Sequence, residues 1–325
     1  MKYMNVTNIK DFIITGFPGL LPEYYGPVSV LLLFVFLCIV FGNAFVLFII
    51  VREQTLHKAA YLIFFHLAMT DIMFGTVTLP KIIARYWWND MISSFEACFV
   101  QMYFVHSLGA VHSLILLMMA LDRFVSIWFP FRYPVLFTNK NVSIACSLCW
   151  ILTFIRLAGI VFHATTLPYC DHNVIMQCYC DHISITRLGC GDGGAYVQHV
   201  SFANAMVTLM VPLTFIILSY FSIIIAVLRI SHSERRHKVL STCAPQLFIT
   251  CIYYVPRCFV YIANNLGYSF SPLARIVITM MYSLIPAVVN PLIYCFKITE
   301  IKNALKRRFD NGKVSSMINN KRNVK

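Results

Sequence analysis

Charged residues are scarce in this chain of 325 residues. Only 12% of the residues are charged, against about 25% in an ordinary soluble domain. Because 59% are hydrophobic and the mean hydropathy is +0.73, a soluble fold of 37.3 kDa would have too little core to bury them. An aromatic content of 15% argues against disorder. The composition therefore predicts an integral membrane protein.

Signatures of catalysis and of secretion are also absent. The sequence contains no HExxH motif, no GxSxG turn and no paired-glycine nucleotide loop. No basic segment precedes an apolar stretch in residues 1–26, so we expect no cleavable signal peptide. We expect no enzyme activity, no cofactor and no bound metal. The net charge of +13 indicates attraction to membrane lipid rather than to nucleic acid.

Long apolar runs are present instead, and seven of them have the length of a bilayer-spanning helix, about 20 residues. Two of the seven contain one charge each, Asp71 and Arg156. Alternating strands of about 10 residues, as in a membrane β-barrel, are not seen. The runs are Val28–Val51, Ala59–Pro80, Phe99–Leu121, Val142–Leu167, Ser201–Leu228, Val239–Pro256 (continuing to about Ile262) and Ile276–Phe296.

The distribution of basic residues predicts the orientation. Most of the 26 Lys and Arg residues fall on the side of the C-terminus, so the positive-inside rule places the N-terminus outside. We expect an extracellular tail at 1–26, a seven-span domain at 27–297, and a cytoplasmic segment at 298–325 that begins with a short amphipathic helix. Asn5 begins a glycosylation sequon in the outer tail.

Five cysteines are predicted to lie on the oxidising side of the membrane. Cys98 lies at the outer end of the third run, just before Phe99, and Cys170, Cys178, Cys180 and Cys190 lie in the second outer loop. Five such cysteines predict two disulfides and one spare thiol. The less favoured alternative is that Cys178, Cys180 and His182, with Asp181 and His172 nearby, bind Zn²⁺ or copper.

Polar residues inside the runs are candidates for function because burying them in a bilayer is costly. Asn43, Asp71 and Asn290 are plausible partners that would hold a sodium ion or a proton, or would simply join helices by hydrogen bonds. Arg257 follows Pro256 and would meet either an anionic ligand or an internal acceptor. Prolines in the fifth, sixth and seventh runs favour hinges.

Several of these residues resemble the rhodopsin-like (class A) G-protein-coupled receptors. Their spacing fits as well, since Cys98 precedes Arg123 by 25 residues and Pro212 precedes Tyr220 by 8. The resemblance covers about residues 20–310. It is carried by Gly42, Asn43, Asp71, Cys98, Asp122, Arg123, Trp150, Pro212, Tyr220 and Asn290-Pro-Leu-Ile-Tyr294.

Short motifs narrow the resemblance to the odorant receptor family. Met119-Ala-Leu-Asp-Arg-Phe-Val-Ser-Ile127 resembles the family's MAYDRYVAI, and Lys238-Val-Leu-Ser-Thr-Cys243 resembles its KAxSTC. Departures such as Phe124 and Trp128 are similar to the class I or fish-type branch. Further family motifs are matched in order by Leu56-His-Lys-Ala-Ala-Tyr61, Pro130-Phe-Arg-Tyr133, Ser219-Tyr220 and Tyr253-Tyr-Val-Pro256.

The resemblance implies an all-α membrane protein, a rhodopsin-like seven-transmembrane helix bundle. It implies a plasma-membrane receptor of olfactory sensory neurons that binds a small odorant and activates a stimulatory, olfactory-type G protein, raising cAMP. It pairs Cys98 with Cys180 and Cys170 with Cys190, leaving Cys178 spare.

The candidate site residues form three sets, of which the resemblance implies the first two and the polar residues inside the runs give the third. The ligand set is Val105, His106, Gly109, Ala110, Asn204, Thr208, Tyr254, Arg257, Tyr261 and Asn265. The G-protein coupling and switch set is Asp122, Arg123, Tyr220, Lys238, Asn290, Pro291 and Tyr294. The internal polar or sodium set is Asn43 and Asp71.

Two other classes remain as alternatives. One is a rhodopsin-like receptor for a peptide, an amine or another internal signal. Its amine version usually needs an acidic residue in span three, where this chain has Val105. A transporter or channel would be expected to show internal repeats or interrupted helix pairs, and neither is seen.

Overall fold

A computed structural model describes residues 9–170, 172–190, 193–265, 268, 270–297 and 303. Seven of its helices are long and apolar enough to cross a membrane, which confirms the predicted seven-span bundle. We call them spans one to seven: Tyr25–Arg52, Ala59–Trp87, Phe95–Trp128, Asn139–Thr165, Gly193–Leu228, Ser233–Asn265 and Pro272–Lys297. Two predictions concern residues outside the described ones, namely the glycosylation site Asn5 and the amphipathic helix after residue 297.

The helices extend beyond the apolar runs that predicted them. Span five, for example, begins at Gly193 rather than Ser201, and span three ends at Trp128 rather than Leu121. An apolar run marks only the part of a helix that lies in hydrocarbon, about 30 Å of length. The backbone hydrogen bonds of the helix continue into the interfacial and aqueous layers.

Span three forms the centre of the bundle. In its most apolar window 61% of the residues are buried, against 22% in span four, which lies at the periphery. Prolines lie inside spans five, six and seven, as the sequence indicated, at Pro212, Pro256 and Pro291. Each proline removes a backbone hydrogen bond from its helix and favours a bend there.

A small sheet covers one end of the bundle, which we call the outer end. Strand β1 (Asp11–Ile14) pairs antiparallel with β2 (Ile92–Ser94) and parallel with β3 (Val174–Ile175). Phe12 and Ile14 are completely buried beneath it. The sequence analysis treated this region as a tail and predicted no strand, because four residues are too few to show a period-2 pattern clearly.

The second outer connection, residues 166–190, lies over the bundle, and we call it the lid. The structure contains a disulfide between Cys98 and Cys180, which fixes the lid to span three, and one between Cys170 and Cys190 within the lid. Cys178 is free and buried. Burial raises the pKa of the Cys178 thiol, which keeps it protonated and a poor metal ligand. No cluster of three metal ligands occurs among the described residues.

Candidate ligand-binding site

A cavity of about 520 Å³ lies beneath the lid in the outer half of the bundle. Its wall is mostly apolar, with polar groups contributed by the lid and by spans three, five, six and seven. The predicted ligand residues that line it are Val105, His106, Gly109, Ala110, Asn204, Thr208 and Arg257. The side chains of Tyr261 and Asn265 lie outside the description, although both residues belong to span six.

Tyr254 is placed just behind the cavity wall rather than in it. Its hydroxyl lies 2.6 Å from the Oγ of Ser113, and Ser113 does line the cavity. The same Oγ donates to the carbonyl of Thr208 on span five at 3.2 Å. Tyr254 therefore joins spans six, three and five through Ser113 and is positioned to sense movement of the wall.

Arg257 is the cationic group of the cavity wall. Its Nη1 donates to the carbonyl of Tyr253 at 2.9 Å, and its Cζ lies 3.8 Å from the Tyr253 ring centroid and 4.6 Å from that of Tyr282. The two ring contacts are cation–π interactions. No carboxylate in the described part of the chain forms an ion pair with Arg257. A cation beside an apolar cavity without a carboxylate partner attracts an anion strongly.

A second polar region of the wall consists of uncharged histidine. The backbone N–H of His182 in the lid donates to Nε2 of His106 at 3.2 Å, so Nδ1 of His106 carries that ring's proton. The ring of His182 lies 2.9 Å from Ser201 Oγ. Burial, with a further contribution from His106, lowers the pKa of His182 to about 4, so this side chain is neutral at pH 7. Nδ1 of His182 is buried and has no partner among the described residues.

The sequence analysis missed much of the wall because neither the lid nor the spans carry a signal that shows which of their residues face a common cavity. His182 follows the bridged Cys180 by two residues, and that spacing was the available signal for a lid residue facing the cavity. The wall residues that were not predicted are Phe74, Ser113, Leu157, Ile160, Val161, Tyr179, His182, Ile183, Thr186, Gln198, His199, Ser201, Phe202, Ala205, Leu209, Tyr253, Tyr282 and Ser283.

A buried polar group lies below the cavity. Oδ1 of Asp71 lies 3.2 Å from Nδ1 of His112, and Oδ2 accepts from Asn290 Nδ2 at 2.7 Å. The structure thus brings Asp71 and Asn290 together. Asn43 instead donates to the backbone carbonyls of Ile39 and Ala287, each at 2.9 Å. His112 was missed because a single histidine does not interrupt an uncharged apolar run.

The predicted switch residues lie at the opposite, inner end of the bundle. Asp122 forms an ion pair with Arg123 at 2.8 Å and accepts from the Tyr133 hydroxyl at 2.7 Å. The hydroxyls of Tyr220 and Tyr294 are buried and have no hydrogen-bond partner among the described residues. Two further switch residues complete the set: the side chain of Lys238 lies outside the description, and Pro291 packs against Gly42, where a Cβ would lie 3.0 Å from its Cγ.

A seven-span bundle with a lid, an outer cavity and an inner Asp-Arg pair defines the class of rhodopsin-like receptors. The structure is similar to squid rhodopsin, with a TM-score of 0.71, 16% identity, and coverage of 90% of this chain and 87% of that one. At that identity the likeness shows the fold.

Sequence comparison shows the family within that class. The family model described as olfactory receptor matches residues 32–311. Olfactory receptor 51E2 of Homo sapiens is 34% identical over 312 residues, 95% of this chain and 96% of the relative. Olfactory receptor 52B2 of Homo sapiens is 32% identical over 311 residues, with the same coverage. The chain belongs to the olfactory receptor family.

Membership confirms several of the predictions. The protein is an odorant receptor, a G-protein-coupled receptor and not an enzyme, with a small-molecule ligand and a G protein as its partners. It is a multi-pass protein of the plasma membrane. The transporter and non-odorant alternatives receive no support from these comparisons.

Proposed function

We propose that this odorant receptor recognises a small anionic odorant, such as a carboxylic acid, and signals through a stimulatory, olfactory-type G protein that raises cAMP. The observation that carries the ligand class is the position of Arg257. Arg257 lines the cavity, and the described contacts of its guanidinium are a backbone carbonyl and two tyrosine rings. Because a carboxylate accepts two parallel N–H bonds from an arginine, it is the natural complement of this group.

The rest of the wall supports a ligand with an apolar body. Phe74, Leu157, Val161 and Leu209 are among the apolar lining residues, and a cavity of about 520 Å³ falls within the range of small-molecule sites. The neutral histidines of the wall add hydrogen-bonding capacity without a second full charge. We infer that these groups rank ligands of similar size, while Arg257 sets the preference for negative charge. Tyr261 and Asn265 remain proposed ligand residues of the same wall.

We infer a two-state mechanism of signalling. The ligand binds the active conformation more tightly and shifts the population only by that difference in affinity. Spans five and six then move at the inner end about Pro212 and Pro256. Release of Arg123 from Asp122 exposes a docking face for the G protein. That face comprises Arg123, Tyr220, Tyr294 and the basic connection 229–238, which includes Lys238.

The proposed topology places the N-terminus outside the cell and the C-terminus inside, in contact with membrane lipid and with a glycan on Asn5. It puts the three domains at 1–26, 27–297 and 298–325. Olfactory sensory neurons are the proposed site of expression. Epitope tags at the two termini, stained before and after permeabilisation, test the orientation directly.

The test of function is a cAMP assay in cells that express the chain, screened with small carboxylic acids and with their methyl esters. We expect acids to be active and their esters to be at least tenfold weaker, a difference of about 1.4 kcal/mol. Arg123→Ala should abolish the response at equal surface expression.

Arg156 provides a matched control because it is an arginine on an exposed face of span four and does not line the cavity. Arg257→Ala should lose the response to acids, whereas Arg156→Ala should retain it. An acid response that survives Arg257→Ala would disprove the proposed ligand site. A response carried by calcium without cAMP would disprove the proposed type of G protein.

A further inference from the structure

The ring of Tyr253 links the cavity to the buried polar group below it. Arg257 lies over this ring, 3.8 Å from its centroid, and the imidazole of His112 stacks on it at 4.5 Å with an interplanar angle of 7°. The Tyr253 hydroxyl donates to the carbonyl of Gly109 at 2.7 Å. The hydrogen bond to span three therefore holds Tyr253 in place, and its ring contacts Arg257 on its own helix, span six.

His112 continues the contact into the centre of the bundle. Its Nδ1 lies 3.2 Å from Asp71, and the other oxygen of that carboxylate accepts from Asn290. All three side chains are nearly inaccessible, with exposures of 6% for His112, 2% for Asp71 and 1% for Asn290. The series of contacts runs from span six to span three, then to span two and span seven.

The same contacts bear on the predicted sodium site at Asp71. A buried carboxylate needs a compensating positive charge or hydrogen-bond donors. Here both oxygens already face nitrogen atoms of side chains. Hard cations such as sodium take oxygen ligands and are repelled by N–H donors. A sodium ion would have to displace the imidazole of His112 to bind.

We propose that His112 is a positioning residue that takes the place of a sodium ion at Asp71 and, through its stack on Tyr253, couples the cavity wall to the Asp71–Asn290 pair. The coupling to a ligand rests on the proposed anion site at Arg257, whereas the exclusion of sodium does not. When an anion draws Arg257 away from the Tyr253 ring, the stack and then the His112–Asp71 contact change. The inner halves of spans two, three and seven receive the ligand signal by this route.

The first experiment compares the thermal stability of the purified full-length receptor in sodium chloride and in potassium chloride at equal ionic strength. We expect the wild type to show the same Tm in both salts. His112→Ser replaces the imidazole by a hydroxyl oxygen and opens space, so this variant should gain a higher Tm in sodium. Asp71→Asn added to His112→Ser should remove that gain. His163→Ser, a change at an exposed histidine of span four, should behave like the wild type.

The second experiment measures basal cAMP at equal surface expression for Tyr253→Leu, His112→Leu and the double variant. We expect each single change to alter basal cAMP severalfold and the double variant to match the single ones rather than their product. His112→Asn keeps a donor and should fall closer to the wild type.

Each outcome of these experiments decides the proposal. A sodium-dependent Tm of the wild type, or a His112→Ser variant without a sodium effect, would overturn the replacement of the ion. Multiplicative effects of the two leucine substitutions on basal cAMP would overturn the coupling. Should His112→Ser fail to fold, His112→Ala is compared in the same two salts. Neither experiment uses an odorant, so failure of the anion hypothesis is recognised separately.

Discussion

The guanidinium of Arg257 lies 3.8 Å from the centre of the Tyr253 ring, four residues earlier on the same helix. This pair gives the cavity a charge that is oriented before any ligand arrives. The guanidinium is held at the wall by its hydrogen bond to the Tyr253 carbonyl and by its contact with the ring of Tyr282. Preorganisation of this kind reduces the entropy lost when a ligand binds.

Replacing Tyr133 by phenylalanine should raise basal signalling. The Tyr133 hydroxyl donates to Asp122, which in turn holds Arg123. A hydrogen bond to a charged group contributes about 1.5–3 kcal/mol, so its loss favours release of Arg123 by about tenfold or more. The measurement is cAMP without odorant at equal surface expression.

Tyr103→Phe is the matched control for Tyr133→Phe. The Tyr103 hydroxyl donates to the carbonyl of Phe154, at 3.1 Å, away from the inner end. Basal cAMP of this control should equal that of the wild type. If Tyr133→Phe also leaves basal cAMP at the wild-type level, Asp122 does not restrain Arg123 in the way proposed.

Truncation of Phe12 should loosen the outer sheet. The Phe12 ring is fully buried and contacts Phe95, Phe99 and Tyr169, with centroids 5.7 to 6.3 Å apart. Phe12→Ala leaves a cavity and should cost about 3–5 kcal/mol of stability. A lower Tm and faster amide exchange of the lid are expected.

Ile13→Ala, the neighbouring change on the half-buried side of β1, should have a much smaller effect on stability. Equal effects of the two substitutions would show that burial of Phe12 does not hold β1 against the bundle.

Acid should destabilise the lid through His182. Burial, with a smaller contribution from His106 and against the opposing effect of Asp181, lowers the pKa of His182 in the folded protein from the ordinary value of 6.5 to about 4. The unfolded chain therefore binds a proton at higher pH than the folded chain. The stabilisation is complete above about pH 6.5 and is lost as the pH falls toward 4, by at most about 1.4 kcal/mol per pH unit.

The pH effect is measured as the Tm of the purified receptor between about pH 7 and pH 5. His182→Gln should flatten the profile, and His163→Gln, at an exposed position, should leave it as in the wild type. A profile that His182→Gln does not change would assign the acid sensitivity to other groups.

The sequence predicted the parts of the receptor that physical chemistry encodes locally. An apolar run long enough to cross the bilayer identifies a span without knowledge of its neighbours. The resemblance to the family, rather than the cysteine spacing, implied the pairing of Cys98 with Cys180 that the structure contains. The adjacent Asp122 and Arg123 were recognised from a motif of the same family and form an ion pair. The contact between Asp71 and Asn290 was anticipated because polar side chains in a bilayer seek partners.

The parts that were not predicted depend on contacts between distant segments. Strand β1 forms only because residues 92–94 and 174–175 lie beside it. His112 is one histidine in an apolar helix, and its role depends on which face of span three meets Asp71. His182 enters the cavity wall because the disulfide at Cys180 and the bond to His106 fix the lid above it. Neither the hydrophobic periodicity nor the composition of the sequence predicts such contacts.

The most direct test of the account compares one carboxylic acid with its methyl ester on the wild type, Arg257→Lys and Arg257→Gln. Full cAMP concentration–response curves are measured at matched surface expression. The account predicts a strong preference for the acid in the wild type, a partial preference with lysine, which keeps the charge without the planar fork, and none with glutamine. An acid preference that persists unchanged in Arg257→Gln would contradict it.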